Sequence, residues 1–189
     1  MRVISGSKKG MRLYGTRDEY TRPTEDRIKE AIFDSLYSIE PNSKVLDLFA
    51  GTGSIGIEFL SRGADFVAFC DKSRTNINCI KENLRHTGLT EKASLYHGEN
   101  TRNLFNLKSD KHVFDYIFID PPYDNISLYF DSLEFIKDYG LLDSEGVIIL
   151  EAQEELNLLG YAIIKIKEYG KKRIYFLSLG EEDESNISR

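Results

Sequence analysis

The sequence has few residues that could crosslink the chain through sulfur or metal. It contains two cysteines, Cys70 and Cys79, and three histidines, which show no metal-ligand spacing. Both cysteines lie in or near apolar segments, so we expect reduced core thiols, as in a cytoplasmic protein, rather than disulfides. We therefore predict neither a disulfide framework nor a metal site.

Long apolar stretches are also missing. No run reaches the roughly 20 residues of a membrane-spanning helix. The N-terminal sequence MRVISGSKKG carries charges in place of the apolar segment of a secretory signal. The chain has 189 residues, 41% hydrophobic and 30% charged, which suits one α/β domain with a small appendage. We therefore expect a cytoplasmic protein without a membrane partner.

Positive charge is scarce overall but concentrated in two segments. The net charge is −6, yet residues 1–17 contain five basic side chains and no acidic one. A second basic run covers residues 165–173. Such patches on an acidic body suit docking on a polyanion, although a merely solvated surface explains them almost as well. The side chains predicted to contact the polyanion are Arg2, Lys8, Lys9, Arg12, Lys171, Lys172 and Arg173.

The segment VLDLFAGTGSIGIE, residues 45–58, combines an apolar strand, a glycine turn and a helix start. The strand ends at Asp47, and Gly51 and Gly53 let the backbone of the turn approach a ligand closely. The N–H groups at the helix start favour a negative or polar ligand group. The turn matches G-x-G-x-x-G, and roughly 20 residues later Asp71 can accept ribose hydroxyls. These features fit NAD and S-adenosylmethionine equally well.

A second motif, Asp120-Pro-Pro-Tyr123, also follows an apolar strand. Its prolines fix the backbone and remove two N–H donors, so the Asp120 carboxylate and the Pro121 carbonyl can each accept a hydrogen bond from one exocyclic amine. Tyr123 offers a flat face for stacking a base. Alone, the motif would indicate a rigid turn with a core tyrosine. Because it follows a nucleoside-binding turn, we predict that Asp120, Pro121, Pro122 and Tyr123 form the catalytic motif.

Alternating apolar strands and amphipathic helices predict a doubly wound, mostly parallel α/β sheet. The seven strands are expected at 44–48, 66–70, 93–97, 114–119, 147–150, 161–166 and 174–179, and the last runs antiparallel because the final two form a hairpin. Helices are expected at 24–38, 54–62, 73–86 and 126–138. We predict a hairpin arm over 1–22, the main domain over 23–180 and a disordered acidic tail over 181–189.

Together, D-L-F-A-G-T-G-S-I-G and D-P-P-Y resemble the class I S-adenosylmethionine-dependent methyltransferases that modify exocyclic amines. T-R-P-T-E-D-R-I-K-E-A-I-F and the arm V-I-S-G-S-K-K-G, which precede them, are similar to the bacterial 16S rRNA guanine-N2 methyltransferases of the RsmD type. The resemblance covers residues 2–180. It implies a Rossmann-like fold, S-adenosylmethionine as cofactor without a metal, and RNA docking through the arm. The implied substrate is one guanine of small-subunit rRNA in a ribosomal particle, modified by a monomer.

The resemblance also implies where the cofactor binds. The glycine turn would line its methionine half, Asp71 would hold the ribose, Glu99 would approach the adenine, and residues 22–24 would close over the methionyl carboxylate. The complete predicted set is Arg22, Pro23, Thr24, Asp47, Phe49, Ala50, Gly51, Thr52, Gly53, Asp71, Lys72, Glu99 and Asn100. The family usually has Glu in place of Asp71 and Asp in place of Glu99.

Four other functions fit part of the sequence. DNA adenine or cytosine amine methyltransferases share both motifs but usually carry an additional recognition region. Protein-glutamine methyltransferases normally have Asn in place of Asp120. An NAD-dependent oxidoreductase would explain the glycines and Asp71 but not D-P-P-Y, and a non-catalytic RNA-binding module would explain the arm but not the turn.

Overall fold

A computed structural model describes residues 1–16, 26–122, 125–158 and 160–180. Several predictions therefore lie outside the described residues. These are the contacts of Arg22, Pro23, Thr24 and Tyr123, the first turn of the helix predicted from residue 24, and the acidic tail.

A central sheet contains seven strands, as predicted. They are β1 (Lys44–Asp47), β2 (Phe66–Asp71), β3 (Ala93–His97), β4 (Phe114–Ile119), β5 (Leu142–Ala152), β6 (Ala162–Tyr169) and β7 (Lys172–Ser178). Their order across the sheet is β3-β2-β1-β4-β5-β7-β6. The first five strands are mutually parallel, whereas β7 is antiparallel to both of its neighbours. The predicted doubly wound sheet with an antiparallel last strand is confirmed.

Five α-helices lie in the described residues: α1 (Asp26–Ser35), α2 (Ser54–Arg62), α3 (Arg74–Thr87), α4 (Asn100–Ser109) and α5 (Ser127–Asp138). The sequence predicts all of them except α4. That helix contains three asparagines, which have low helix propensity, and its buried apolar face consists of Leu104 and Leu107 alone. None of the helices in the described ranges has both the length and the apolar character that a membrane span requires.

Apolar side chains of the strands alternate between two cores, as expected for a sheet covered on both faces. One core lies under α1, α2, α3 and the N-terminal arm, and contains Val45, Phe59 and Ile80. The other lies under α4 and α5, and contains Leu46 and Leu133.

The N-terminal arm, residues 1–14, folds as a hairpin with a single bridge between Arg2 and Arg12. Its Val3 and Leu13 are buried in the first core. At its tip, the Lys8 N–H donates to Ser61 Oγ over 2.9 Å. A Cβ added to Gly6, whose φ is +79°, would lie 1.8 Å from the Ser61 carbonyl oxygen, so close packing on α2 requires glycine there. The arm is therefore packed on the main domain.

Candidate active site

Four acidic side chains stand at the carboxyl ends of four adjacent strands. Asp71 ends β2, Asp47 ends β1, Asp120 follows β4 and Glu151 lies near the end of β5. Since strand side chains alternate, all four point away from the α4–α5 core that holds their chain neighbours, namely Leu46, Cys70, Ile119 and Leu150. We call these four acids the carboxylate row. In a doubly wound sheet, this edge is where ligands bind.

Asp47 connects the end of β1 to the first turn of α2, on either side of the glycine turn. Its side chain is buried, and Oδ2 accepts the Gly56 N–H over 3.0 Å. Burial raises the pKa of Asp47 to about 7, against the effect of the Gly56 hydrogen bond and with a smaller contribution from Asp71. Gly53 has φ +78°, and an added Cβ would lie 3.1 Å from Ile80. The turn thus needs a glycine both for its conformation and for its packing.

Asp71 fastens the same turn to the start of α3. Its Oδ2 accepts the Gly51 N–H over 2.8 Å and the Asn76 side-chain amide over 3.1 Å. Its Oδ1 accepts the Ser73 N–H over 2.7 Å. Asp71 therefore holds the turn in place, and its contact with a ribose stays a prediction.

The other predicted cofactor residues surround the carboxylate row. Ala50 and Thr52 are buried and Phe49 is half-buried, whereas Lys72 and Glu99 are exposed. All of the predicted cofactor residues that the structure describes lie at or just past the carboxyl ends of β1, β2 or β3.

Asn100, the first residue of α4, has an unsatisfied acceptor. It is 8% exposed, and its amide nitrogen donates to Ser132 Oγ over 2.8 Å. Within the described part of the chain, Asn100 Oδ1 has no hydrogen-bond partner. A buried carbonyl oxygen without a donor is costly, so this position suits a ligand that brings an N–H group. The amine of adenine is such a group.

Asp120 lies between Asp47 and Glu151 in the row. Burial raises the pKa of Asp120 well above its usual value, Glu151 and Asp47 raise it further, and Lys172 lowers it. The following Pro121 is buried. In the described part of the chain, no three acidic, histidine or cysteine side chains converge as metal ligands do.

The predicted RNA contacts fall in two places. The turn between β6 and β7 lies at the site edge, because Arg173 pairs with Ala152 at the end of β5. There Lys171 is exposed, Lys172 forms an ion pair with Glu151, and Arg173 forms ion pairs with two acids. The arm tip instead lies beside Ser61, about 10 Å along α2 from the glycine turn.

Within the arm, the four predicted contacts differ in exposure. Lys9 and Arg12 are exposed and Lys8 is half-buried. Arg2 forms an ion pair with Asp26 over 3.1 Å. RNA contact by any of these side chains stays a prediction.

A family model described as "Conserved hypothetical protein 95" matches residues 1–178 of the chain. The chain belongs to this family. The chain is also similar to proteins named "Ribosomal RNA small subunit methyltransferase D". One of them, from Haemophilus influenzae, is 29% identical over 173 residues, 90% of this chain and 89% of that protein. The prediction of the RsmD family of S-adenosylmethionine-dependent methyltransferases is thereby confirmed.

Two further proteins of high similarity agree. A Bacillus subtilis protein named "Putative rRNA methyltransferase YlbH" is 40% identical over 158 residues, 84% of this chain and 85% of that protein. A solved Escherichia coli protein described as "Putative methyltransferase yhhF" superposes with a TM-score of 0.82 at 26% identity, over 96% of this chain and 98% of that one. This chain therefore shares its fold and its enzyme class with these relatives.

Sequence reasoning assigned no role to Glu151. The signal was present, because Glu151 follows an apolar strand just as Asp47, Asp71 and Asp120 do. From the sequence, Lys172 is predicted to be a solvated RNA contact. In the structure, the Lys172 side chain is 20% exposed and forms an ion pair with the fully buried Glu151. Only the pairing of β5 with β7 brings these two residues together.

Proposed function

We propose that this methyltransferase transfers a methyl group from S-adenosylmethionine to the exocyclic N2 amine of a guanine in small-subunit rRNA. The observation that carries the proposal is the carboxylate row, with Asp120 next to two prolines at the ligand-binding edge. Relatives named for small-subunit rRNA methylation support the choice of RNA. Because that RNA is cytoplasmic in bacteria, the enzyme would act in the cytoplasm, as a monomer on a ribosomal particle.

The hydrogen bonds of the glycine turn support S-adenosylmethionine over NAD. A dinucleotide places its pyrophosphate on the N–H groups of such a turn and helix start. In this protein the Gly51 N–H donates to Asp71 and the Gly56 N–H donates to Asp47. Two of the N–H groups that a pyrophosphate would use are therefore already bonded to carboxyl groups, whereas S-adenosylmethionine carries no phosphate and does not need them.

The described residues offer matching contacts for each part of this cofactor. Asn100 Oδ1 would accept from the adenine amine, Asp71 would accept from the ribose, and the turn from Phe49 to Gly53 would pack on the methionine half. When bound, S-adenosylmethionine supplies an activated methyl group. The protein's task is then to orient the accepting amine.

Asp120 and Pro121 would perform that task. Hydrogen bonds from the two N–H groups of the guanine amine to the Asp120 carboxylate and the Pro121 carbonyl would turn the nitrogen lone pair towards the methyl group. The same bonds would stabilise positive charge that develops on nitrogen during transfer. Tyr123 would stack on the guanine.

The ribose contact of Asp71 is tested by replacing it with alanine. We expect S-adenosylmethionine binding to weaken by about 1–3 kcal/mol, because the ribose hydroxyls lose an acceptor and the Gly51 N–H loses its partner. Isothermal calorimetry measures the change. Asp65, an exposed acid near the opposite edge, is the control, since Asp65→Ala should leave the affinity unchanged. Equal affinities for Asp71→Ala and the parent would remove Asp71 from the cofactor site.

RNA docking by the arm is tested by replacing Lys8, Lys9 and Arg12 together with alanine. We expect the variant to need more RNA for half-maximal activity and to show a flatter salt dependence, because phosphate contacts release counterions. The control removes the same charge at Lys108, Lys111 and Lys137, near the ends of α4 and α5 on the other face. If both triple variants behave alike, the arm has a structural role only.

The proposed function itself is tested by methyl transfer to defined substrates. Purified protein with radiolabelled S-adenosylmethionine should label small-subunit RNA or particles. Large-subunit RNA, duplex DNA and glutamine-containing protein should remain unlabelled. Labelling of DNA or protein instead would identify one of the other amine methyltransferases. Binding of NADH without S-adenosylmethionine would contradict the proposal altogether.

A further inference from the structure

Glu151 and Lys172 lie on β5 and β7, on the same side of the sheet as the proposed catalytic carboxyl group of Asp120. β4 and β5 pair in parallel, with Ile119 opposite Leu150, so Asp120 and Glu151 follow as the next pair on the same side of the sheet. Glu151 in turn lies opposite Ile174 of the antiparallel β7. Lys172 precedes Ile174 by two residues and therefore faces the same side.

The environment of this pair is that of an interior site. The Glu151 side chain is fully buried, and Lys172, at 20% exposure, forms an ion pair with it. The position of Glu151 is fixed further by Tyr129 of α5, whose hydroxyl donates to the Glu151 carbonyl over 2.9 Å. A buried ion pair costs desolvation and often contributes little stability. Because the pair lies beside Asp120, it can act on the charge and orientation of that carboxyl group.

We propose that Glu151 and Lys172 are positioning residues that aim the Asp120 carboxyl group at the amine of the substrate and set the local charge around it. The inference rests on the proposed function, in which Asp120 accepts a hydrogen bond from that amine. Two carboxyl groups on neighbouring strands and on the same side of the sheet, Asp120 and Glu151, repel each other when both carry charge. The Lys172 ammonium, which pairs with Glu151, offsets this repulsion.

Among the described residues, the charged groups that act on Asp120 belong to neighbouring strands of the sheet. Glu151 of β5 and Asp47 of β1 raise the Asp120 pKa, and Lys172 of β7 lowers it. On α5, burial raises the pKa of Tyr129, and Asp120 and Glu151 raise it further. Removal of Lys172 should therefore raise the Asp120 pKa, and removal of the Glu151 charge should lower it.

The test compares single-turnover methyl transfer against pH for Lys172→Met and Glu151→Gln at saturating RNA and cofactor. For Lys172→Met, we expect the acid limb of the profile to move to higher pH by about 1–3 units. For Glu151→Gln it should move to lower pH, and the double variant should lie between them. Lys137→Met is the control, because this exposed lysine of α5 lies outside the predicted RNA contacts and should leave the pH profile unchanged.

A different pattern would overturn the inference. If Lys172→Met leaves the pH profile unchanged but raises the RNA concentration needed for activity, as a phosphate contact would, Lys172 is an RNA-binding residue. Shifts of both single variants in the same direction would indicate a merely structural pair.

A substrate-independent readout separates this inference from the proposed function. The carbon-13 resonance of the Asp120 carboxyl group, followed against pH in labelled protein, should titrate higher in Lys172→Met and lower in Glu151→Gln. If the parent methylates no small-subunit RNA, the proposed function fails while this titration still decides the role of the pair. If the Asp120 titration is the same in all three proteins, the pair does not act on Asp120.

Discussion

Replacing Asp120 by alanine is expected to reduce the rate of methyl transfer by about 10²–10³-fold, the usual effect of removing one positioned hydrogen bond to the transition state. The carboxylate would no longer orient the guanine amine or stabilise its developing charge. The fold should survive, because the substitution also removes a carboxyl group whose pKa is raised by burial and by Glu151. Single-turnover assays at saturating RNA measure the rate of the transfer step.

Two further variants show whether the carboxylate acts as proposed. Asp120→Asn keeps one acceptor oxygen and nearly the same shape, so its rate should lie between those of Asp120→Ala and the parent. Calorimetry should give the parental affinity for S-adenosylmethionine in both. Tyr123→Ala should lose activity through a poorly held base, whereas Tyr123→Phe should be mild because stacking needs only the ring. An Asp120→Ala rate equal to the parental rate would refute the amine-orienting role.

The largest expected loss of stability follows from replacing Lys29 by methionine. Lys29 and Glu58 are both fully buried, with Lys29 Nζ 3.7 Å from Glu58 Oε2. Breaking a buried pair by removing one partner typically costs about 3–5 kcal/mol. Glu58 still forms its ion pair with Arg62, over 2.9 Å, in the variant. We therefore expect a loss at the lower end of this range, about 3 kcal/mol in the free energy of unfolding measured in urea.

The same substitution should loosen the N-terminal arm. Glu58 accepts the N–H groups of Ile4 and Ser5 over 2.8 and 2.9 Å, and Lys29 donates to the Arg2 carbonyl. Hydrogen exchange at the Ile4 and Ser5 amides should therefore accelerate in Lys29→Met. The control is Lys92→Met, which removes an exposed ion pair with Asp65 and should cost less than about 1 kcal/mol. Equal losses in the two variants would show that the buried pair does not hold the arm.

The sequence predicts the sheet and the family because local patterns carry both. Apolar runs mark the parallel strands, and the glycine turn and D-P-P-Y are contiguous motifs. The confirmed features are therefore the strands, four of the five helices, the antiparallel last strand and the methyltransferase family. Helix α4 was missed since asparagines interrupt its short apolar pattern.

The interactions between distant residues could not be predicted in the same way. Glu58 and Ile4 are 54 residues apart, and no periodicity indicates that a buried glutamate binds the arm. The sequence predicts that the N–H groups of the glycine turn and of the helix start serve a ligand. In the structure, Asp71 accepts the Gly51 N–H and Asp47 accepts the Gly56 N–H. Lysine is typically a surface residue, and no local pattern indicates that Lys172 is half-buried in an ion pair with Glu151 of the neighbouring strand β5.

The most direct test of the proposed function is nucleoside mass spectrometry of small-subunit rRNA treated with the purified protein and S-adenosylmethionine. The RNA must come from cells that lack the enzyme, so that the target is unmodified. N2-methylguanosine should appear with the parent, up to one residue per RNA, and should be nearly absent with Asp120→Ala. Methylation at another position of guanine, on another base, or to the same extent with Asp120→Ala would contradict the proposal.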